Sequence, residues 1–262
     1  MEYACVVWNG CTGTESNKLE AIQLRAGRIV CGAIRLTSHE IIYNELGWEK
    51  LSKRRERFKL ILYHKMIYKL APEYLCDLLP PSTSIRNPYP VRGSSGLSMT
   101  VPKARLSLFD HSFLPSTTRL LNQLPEQTRL LSDLVTFKRA LCPPTDCLSA
   151  KLYMYGRRDV TIIHSRIRMR CSALKAHLFD MHIIDDSHCQ CGARNEDAIH
   201  FFFDCPMYTL IRNQLHGIVI QYAPFNMKTL LYGDNTSFDA SIEIFKAVHS
   251  YIRHSKRFNL QP

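Results

Sequence analysis

Apolar residues recur at helical spacing in several stretches of this 262-residue chain. In "NKLEAIQLRAGRIVCGAI", Leu19, Ile22, Ala26, Ile29 and Val30 share one face, while Lys18, Arg25 and Arg28 lie elsewhere. The pattern predicts an amphipathic helix over 18–32 with Asn17 as its cap. "TSHEIIYNELGW" predicts a short helix that Ser38 caps and Gly47 stops. In "LSKRRERFKLILYHKMIYKLAP", Phe58, Ile61, Leu62 and Met66 follow the helical period. Ser52 is the expected cap there, and Pro72 the expected end. Residues 80–116 are rich in proline and read as irregular. Within them "LSMTV" and "ARLSLF" alternate, which predicts two short strands and a hairpin. "STTRLLNQL" and "SDLVTFKRAL" predict two short helices capped by serines.

"CPPTDC" follows, and its adjacent prolines cannot continue a helix, so a domain boundary is expected near residue 143. Beyond it, "GRRDVTIIHSRIRMRCSALKAHLFDMHI" places Ile163, Ile167, Leu174 and Leu178 on one helical face. A helix is expected from Met207 to Val219. "SIEIFKAVHSYIRHSKRF" predicts a closing amphipathic helix with a basic end. The predicted fold class is mainly α with minor β: a basic helical domain over 1–143 with an irregular segment at 80–116, then a small helical domain over 144–262. Neither an internal repeat nor a low-complexity tract interrupts the pattern.

Charge adds a candidate partner. The net charge is +11, and residues 1–150 carry 20 Lys/Arg against 13 Asp/Glu, residues 151–262 14 against 10. An excess of +7 and +4 is spread over both halves, and such a field favours polyanions, RNA or DNA, at low sequence specificity. Two clusters are candidate phosphate contacts: Lys53, Arg54, Arg55, Arg57 and Lys59, and Arg157, Arg158, Arg166, Arg168 and Arg170. The competing reading is a solvated face, with Arg168 or Arg170 paired to Asp180 or Asp197. No apolar run is long enough for a membrane span, and no basic leader precedes a hydrophobic run. The expectation is an intracellular protein of nucleus or cytoplasm, not secreted, whose cysteines stay reduced. Cys5, Cys31, Cys76 and Cys171 then read as small core residues.

Cysteine and histidine supply the strongest chemical signal. "HCQCGARNEDAIHFFFDCPMY" spaces Cys189-x-Cys191-x8-His200-x4-Cys205. Three thiolates and an imidazole make a closed four-ligand set for Zn2+, forming a small module at 187–208 with no open position for a catalytic water. Gly192 supplies a tight turn, Phe201, Phe202 and Phe203 supply apolar packing, and Pro206 redirects the chain. So short a loop has little core, and the metal is expected to contribute much of its folding free energy. The alternative is a set of buried thiols with a capping histidine. His188 reads as a bystander. Cys142 and Cys147 flank the two prolines and read as unpaired thiols. Asp185 and Asp186 adjoin in a turn, whereas metal-dependent phosphoryl transfer needs carboxylates converging from separate elements. No Ser-His-Asp arrangement, Walker loop or G-x-G-x-x-G is present.

The order of these blocks resembles a known family. "EYACVVWNGC", "LEAIQLRAGRIVCG", "LGWEKLSKRRERFKLILYHKMIYKLAPEYLCDLLP" and "SFLPSTTRLLNQLP" resemble the region downstream of the polymerase core in non-LTR retrotransposon reverse transcriptases. "YGRRDVTIIHSRIRMRCSALKAHLF" and "CQCGARNEDAIHFFFDCPMY" resemble the C-terminal segment of the same proteins, which ends in a CCHC zinc motif that Cys189, Cys191, His200 and Cys205 match. The resemblance implies a thumb-like first domain that once gripped a template–primer duplex, and a zinc segment that helps to bind RNA or target DNA. The Tyr/Phe-x-Asp-Asp strand, fingers, palm and endonuclease of that family are missing. The expectation is therefore a non-catalytic remnant, truncated at the 5′ end of its reading frame, whose lost polymerase core was a partner. A protein-interaction module with a purely structural zinc site is the alternative, and an enzyme active in its own right is a further one.

Overall fold

Helices dominate the computed structural model of the chain, which describes residues 2–83, 97–142, 153–234 and 236–258. In chain order the longer ones are α1 (Gly13–Cys31), α2 (His39–Leu46), α3 (Leu51–Ile67), α4 (Phe113–Gln123), α5 (Leu134–Leu141), α6 (Arg158–Arg168), α7 (Lys175–Asp180), α8 (Thr209–Val219), α9 (Met227–Tyr232) and α10 (Phe238–His254). Among the described residues, β structure is confined to one isolated bridge between Ser82 and Met99. The chain divides into two compact units: Met1–Gln23 with Glu49–Thr145, and Leu24–Trp48 with Asp146–Pro262. Residues 24–48 thus group with the second unit, although they precede most of the first. The junction near 143 and Cys147 lie outside the described residues.

In the first unit α3 packs on α4 and α5. Leu60, Tyr63, Leu121 and Phe137 are buried between them. Tyr63 and Thr118 share a 2.8 Å hydrogen bond in this core, and His64 Nε2 lies 2.8 Å from the Leu131 carbonyl, while His64 Nδ1 and the Thr117 hydroxyl are buried without a partner. Two local expectations give way to longer-range partners and a third to a nearer helix end. The first turn of α3 takes no cap from Ser52; the Leu51 N–H donates instead to the Glu20 carboxylate at 3.0 Å. The helix stops at Ile67, ahead of Pro72, where Lys69 turns left-handed (φ 54°) and the Leu70 N–H reaches back to the Lys65 carbonyl. The hairpin does not form: Ser107–Asp110 is a helical turn, and the Asn122 side chain bonds both N–H and C=O of Met99 (3.1 and 2.8 Å), standing where a second strand was expected. At the start of α5, Asp133 rather than Ser132 caps, accepting from the Thr136 N–H.

The second unit is built around α10, which packs on α6, α8 and α9. Val160, Ile167, Leu215, Val219, Leu230, Ile244, Val248 and Ile252 form its core. Ser38 and Gly47 bound α2 as expected, the glycine at φ 63°. The face predicted for Ile163, Ile167, Leu174 and Leu178 is cut short. α6 ends at Arg168, Arg170 turns left-handed (φ 53°), and Leu174 flanks the start of α7. Cys5, Cys31 and Cys171 are buried, while Cys76 is half-buried.

One buried ion pair ties residues 24–48 into this unit. Arg168 on α6 donates from Nε and Nη2 to Glu45 Oε1 on α2 at 3.0 and 2.6 Å, and from Nη1 to the Leu231 carbonyl at 3.2 Å. Tyr153 donates its hydroxyl to the same carboxylate at 2.7 Å. The rings of Tyr153 and Phe245 lie 6.0 and 5.5 Å from the guanidinium. Truncating one partner of such a pair strands a charge in a medium that cannot solvate it. Glu45→Ala is expected to lower stability by about 3–5 kcal/mol, measured as the denaturation midpoint of the full chain. A change under about 1 kcal/mol, the scale of an exposed pair, would mean that water reaches the guanidinium.

His164 and His249 stand ring to ring in the same core, their centroids 5.4 Å apart. Gly156 (φ 98°) lies against His249, where a Cβ would sit 2.7 Å from the ring nitrogen Nδ1. Neither His164 Nδ1 nor His249 Nε2 has a hydrogen-bond partner. Burial, then the charge of Arg168, pulls His249 down to about 4, and burial pulls His164 well below the ordinary histidine value. Between about pH 6.5 and 4 the unfolded chain therefore binds protons that the folded chain refuses, so stability falls as the pH drops through that window. For His249 the loss amounts to roughly 3 kcal/mol at most. His249→Gln should reduce the acid-side loss, read as denaturation midpoints from pH 7 to 4.5. An identical pH dependence in variant and parent would rule His249 out.

Candidate metal centre

Cys189, Cys191, His200 and Cys205 converge. One ligand atom from each lies within 4.8 Å of the other three. Cys189 Sγ is 3.8 Å from Cys205 Sγ, and Cys191 Sγ is 3.3 Å from His200 Nε2. Cys189 and Cys205 are buried, Cys191 and His200 half-buried. Among the described residues, no other group of three or more histidine, cysteine or acidic side chains is drawn together in this way. Four donors around one centre can hold a metal ion, as the spacing predicts.

Two local structures make the convergence. In the first, the Cys189 N–H donates to the Ala193 carbonyl at 2.8 Å, and the Gly192 N–H to the Cys189 carbonyl at 3.0 Å. Gly192 adopts φ 91°, a conformation that suits glycine, and so folds the C-x-C pair into one tight turn. In the second, His200–Asp204 form a single π-helical turn. Its closing bond runs from the Cys205 N–H to the His200 carbonyl at 2.8 Å. Five residues along an α-helix would leave the two ligands about 140° apart around the axis. The i→i+5 bond of a π turn stacks them on one side. Asp197 fixes the start of this turn by accepting the His200 N–H at 2.7 Å.

The arms are anchored differently. Phe201 and Phe202 are fully buried, ringed by Tyr208, Tyr251 and Phe258. The His200–Cys205 arm thus belongs to the main core, contrary to the expectation of a loop with little core of its own. Phe203 stacks outside it on Phe225. In the Ser187–Ala198 arm Cys189 and Glu196 are buried, and Cys191, Ala193 and Ala198 pack half-buried against the core. Glu196 is its main tether: its carboxylate takes Arg257 and the Lys175 N–H, its N–H donates to the Ser187 carbonyl, and its own carbonyl accepts from Ala176.

Electrostatics at the thiols follow from the same geometry. Burial pushes Cys205 up to about 12 and raises Cys189 as well, whereas the backbone N–H of Ala193 pulls Cys191 down. A metal must displace protons from the two buried thiols, so its affinity rises with pH.

Other predicted residues fall outside the centre. His188 is exposed and pairs with Asp186, which also accepts the His188 N–H and lies 3.5 Å from Lys175. Asp185 is exposed. Of the first basic cluster, Arg55 and Lys59 are buried. Arg55 bonds Asn9 and Ser16 and faces the Trp8 ring, and Lys59 bonds Ser116. Arg54 pairs with Glu2, and Arg57 with Glu49 and the Leu141 carbonyl; Lys53 is exposed. Of the second cluster, Arg168 is committed to Glu45, not to Asp180 or Asp197, and Arg166 donates to the Gly32 carbonyl at 2.7 Å. Arg157 and Arg158 are exposed, although Arg157 pairs with Asp159 and Arg158 donates to the Ile29 carbonyl. Arg170 is exposed and lines a cleft of about 580 Å³ with Asp180, Asp197, Lys228 and Tyr232. A phosphate in solution has no access to Arg55, Lys59 or Arg168.

In comparisons with family models, curated proteins and solved structures, nothing matches this chain. No helix among the described residues is long and apolar enough to cross a membrane.

The unequal anchoring of the two arms has a measurable consequence. Chelation should speed hydrogen exchange at the Cys189, Gly192 and Glu196 amides, while the amides of Phe201 and Cys205 and those of α3 stay protected. Uniform acceleration across 186–208 would show that the phenylalanines do not hold their arm without metal.

Proposed function

We propose that this chain is a non-catalytic remnant of a non-LTR retrotransposon reverse transcriptase that retains a structural zinc site and weak, charge-driven binding of RNA or DNA. One observation carries the zinc part: the four residues of the CCHC spacing meet at a single point. Tetrahedral zinc, with Zn–S near 2.3 Å and Zn–N near 2.0–2.1 Å, requires S···S edges of about 3.8 Å and S···N edges of about 3.5 Å. Two of the six separations, 3.8 and 3.3 Å, are close to those edges, and all six lie within 4.8 Å. Three thiolates favour a soft or borderline ion over magnesium or calcium. With four protein donors the role is structural.

The retrotransposon ancestry is supported by the order of sequence blocks. The absence of catalysis is supported by the carboxylates: Asp185 and Asp186 are adjacent and exposed, and Asp186 is engaged by His188 and Lys175. Phosphoryl transfer through metal ions needs carboxylates from separate elements. Nucleic-acid binding is supported by the net charge of +11 together with the exposed Lys53, Arg157, Arg158 and Arg170. The burial of Arg55, Lys59 and Arg168 favours the second reading, a protein-interaction module whose zinc is purely architectural and whose charge is incidental.

Metal uptake and salt dependence test the two parts separately. Cys191→Ser should lower zinc affinity in a chelator competition far more than His188→Ala; equal effects would remove His200 and Cys191 from a common ligand set. On a random RNA or duplex probe, log K should fall with log salt by about 0.9 per phosphate contact on B-DNA. Changing Arg157, Arg158 and Arg170 to Gln should flatten that slope by up to roughly three contacts. A probe that is not retained even at low salt favours the protein-interaction reading.

A further inference from the structure

The π turn between His200 and Cys205 is an uncommon conformation, and a helix end leaves several carbonyls without intrahelical donors. Two side chains from outside the loop take them. Tyr251 on α10 donates its hydroxyl to the Phe201 carbonyl. Arg212 on α8 donates from Nε to the Phe202 carbonyl at 2.9 Å and from Nη2 to the carbonyl of the ligand Cys205 itself. A guanidinium is a planar fork with fixed donor directions, so engaging both carbonyls fixes their separation. That separation spans the stretch of backbone over which the π turn ends and Cys205 goes extended (φ −61°, ψ 119°). The register of the turn decides whether Cys205 Sγ faces His200 or points away from it.

We propose that Arg212 is a positioning residue of the metal centre: its two-carbonyl clamp holds the π turn in the register that sets His200 and Cys205 on one ion. This rests on the zinc reading above. Arg212 touches neither the ion nor a ligand side chain; it acts through the Cys205 backbone. Its charge also suits the site, because a divalent ion held by three thiolates and a neutral imidazole carries one net negative charge. Lysine at this position keeps a charge but offers a point donor that cannot span both carbonyls in a fixed plane.

The experiment uses the full chain loaded with zinc, and in parallel with cobalt(II), whose visible absorption reports ligand geometry. Arg212→Met keeps an unbranched apolar stem and removes the fork. It should weaken zinc by about 10- to 100-fold in a chelator competition, the usual cost of losing a group that orients a ligand, and should shift or weaken the cobalt bands. Arg212→Lys should fall between. Leu230→Ala, a cavity in the same core on α9, should lower the melting temperature while leaving affinity and cobalt bands as in the parent. Parent-like affinity and bands in Arg212→Met overturn the proposal, as does the same loss in Leu230→Ala, which would reduce Arg212 to general stability. If Arg212→Met does not fold, unchanged affinity and bands in Arg212→Lys overturn it equally. A parent chain that takes up neither metal sinks the zinc reading itself and this proposal with it, an outcome distinct from a loaded parent that ignores Arg212.

Discussion

The second unit is organised by one buried ion pair, Arg168 with Glu45. Taking both charges out of water is costly, and their attraction offsets that cost only where the remaining donors and acceptors are also satisfied. Here they are. The carboxylate collects the guanidinium and the Tyr153 hydroxyl, and the guanidinium also reaches the Leu231 carbonyl while rings of Tyr153 and Phe245 cover its faces. Those partners come from α2, α6, α9, α10 and the approach to α6, so satisfying one charge sets the arrangement of five pieces of chain. The consequence reaches the metal centre. α10 carries Phe245 against the guanidinium, and further along its length it carries Tyr251 to the Phe201 carbonyl. The helix that packs on the ion pair at Phe245 holds the ligand loop at Tyr251, six residues further on.

Charge count and charge available at the surface are therefore different quantities. The chain's excess of eleven positive charges reads as a polyanion-binding field. Yet arginines are also well suited to bridge distant segments inside a protein, because a planar fork can meet several acceptors at once. Arg55 does so with Asn9 and Ser16, Arg166 with the Gly32 carbonyl, and Arg257 with Glu196 and the Ala173 carbonyl. Of the ten residues in the two basic clusters, Lys53, Arg157, Arg158 and Arg170 are exposed, and Arg157 is paired with Asp159.

Hydrophobic period made α2 and α10 legible with their buried faces, whereas α1 and α3 were legible as helices only: Ile22, Ala26, Ile29 and Phe58, placed on their apolar faces, are exposed, and Leu24, Cys31, Leu60 and Tyr63 are buried instead. The ends of α2 were legible because Ser38 and Gly47 act on neighbours within four residues. The ligand set was legible because zinc-type sites draw on few residue types at short spacing. What the chain's linear order hides is any partner far along it. Glu20 replaces the expected Ser52 at the start of α3, Asn122 stands in for a strand beside Met99, and Glu45 meets Arg168 across 123 positions. A window of a dozen residues contains neither member of such a pair with its mate. Arg212 was hidden differently. It lies only seven residues beyond Cys205, but nothing in the spacing shows that its target is backbone.

The x4 interval between His200 and Cys205 makes sense only with the turn it adopts. An α-helical path would separate the two ligands around the axis, and an extended path would carry them apart, so the spacing demands a wider turn, and such a turn is less stable than an α-helix. Phe201 and Phe202 offset that deficit by entering the core, while Tyr251 and Arg212 occupy carbonyls of the turn. The protein thus holds one half of the ligand set before any ion arrives. The other half, Cys189 and Cys191, stands on a tight turn whose apolar anchorage is Cys189 in the core with Cys191, Ala193 and Ala198 half-buried against it. Ligand affinity then depends on how firmly the preset arm keeps its register, which is a property of α8 and α10 more than of the loop that carries the motif.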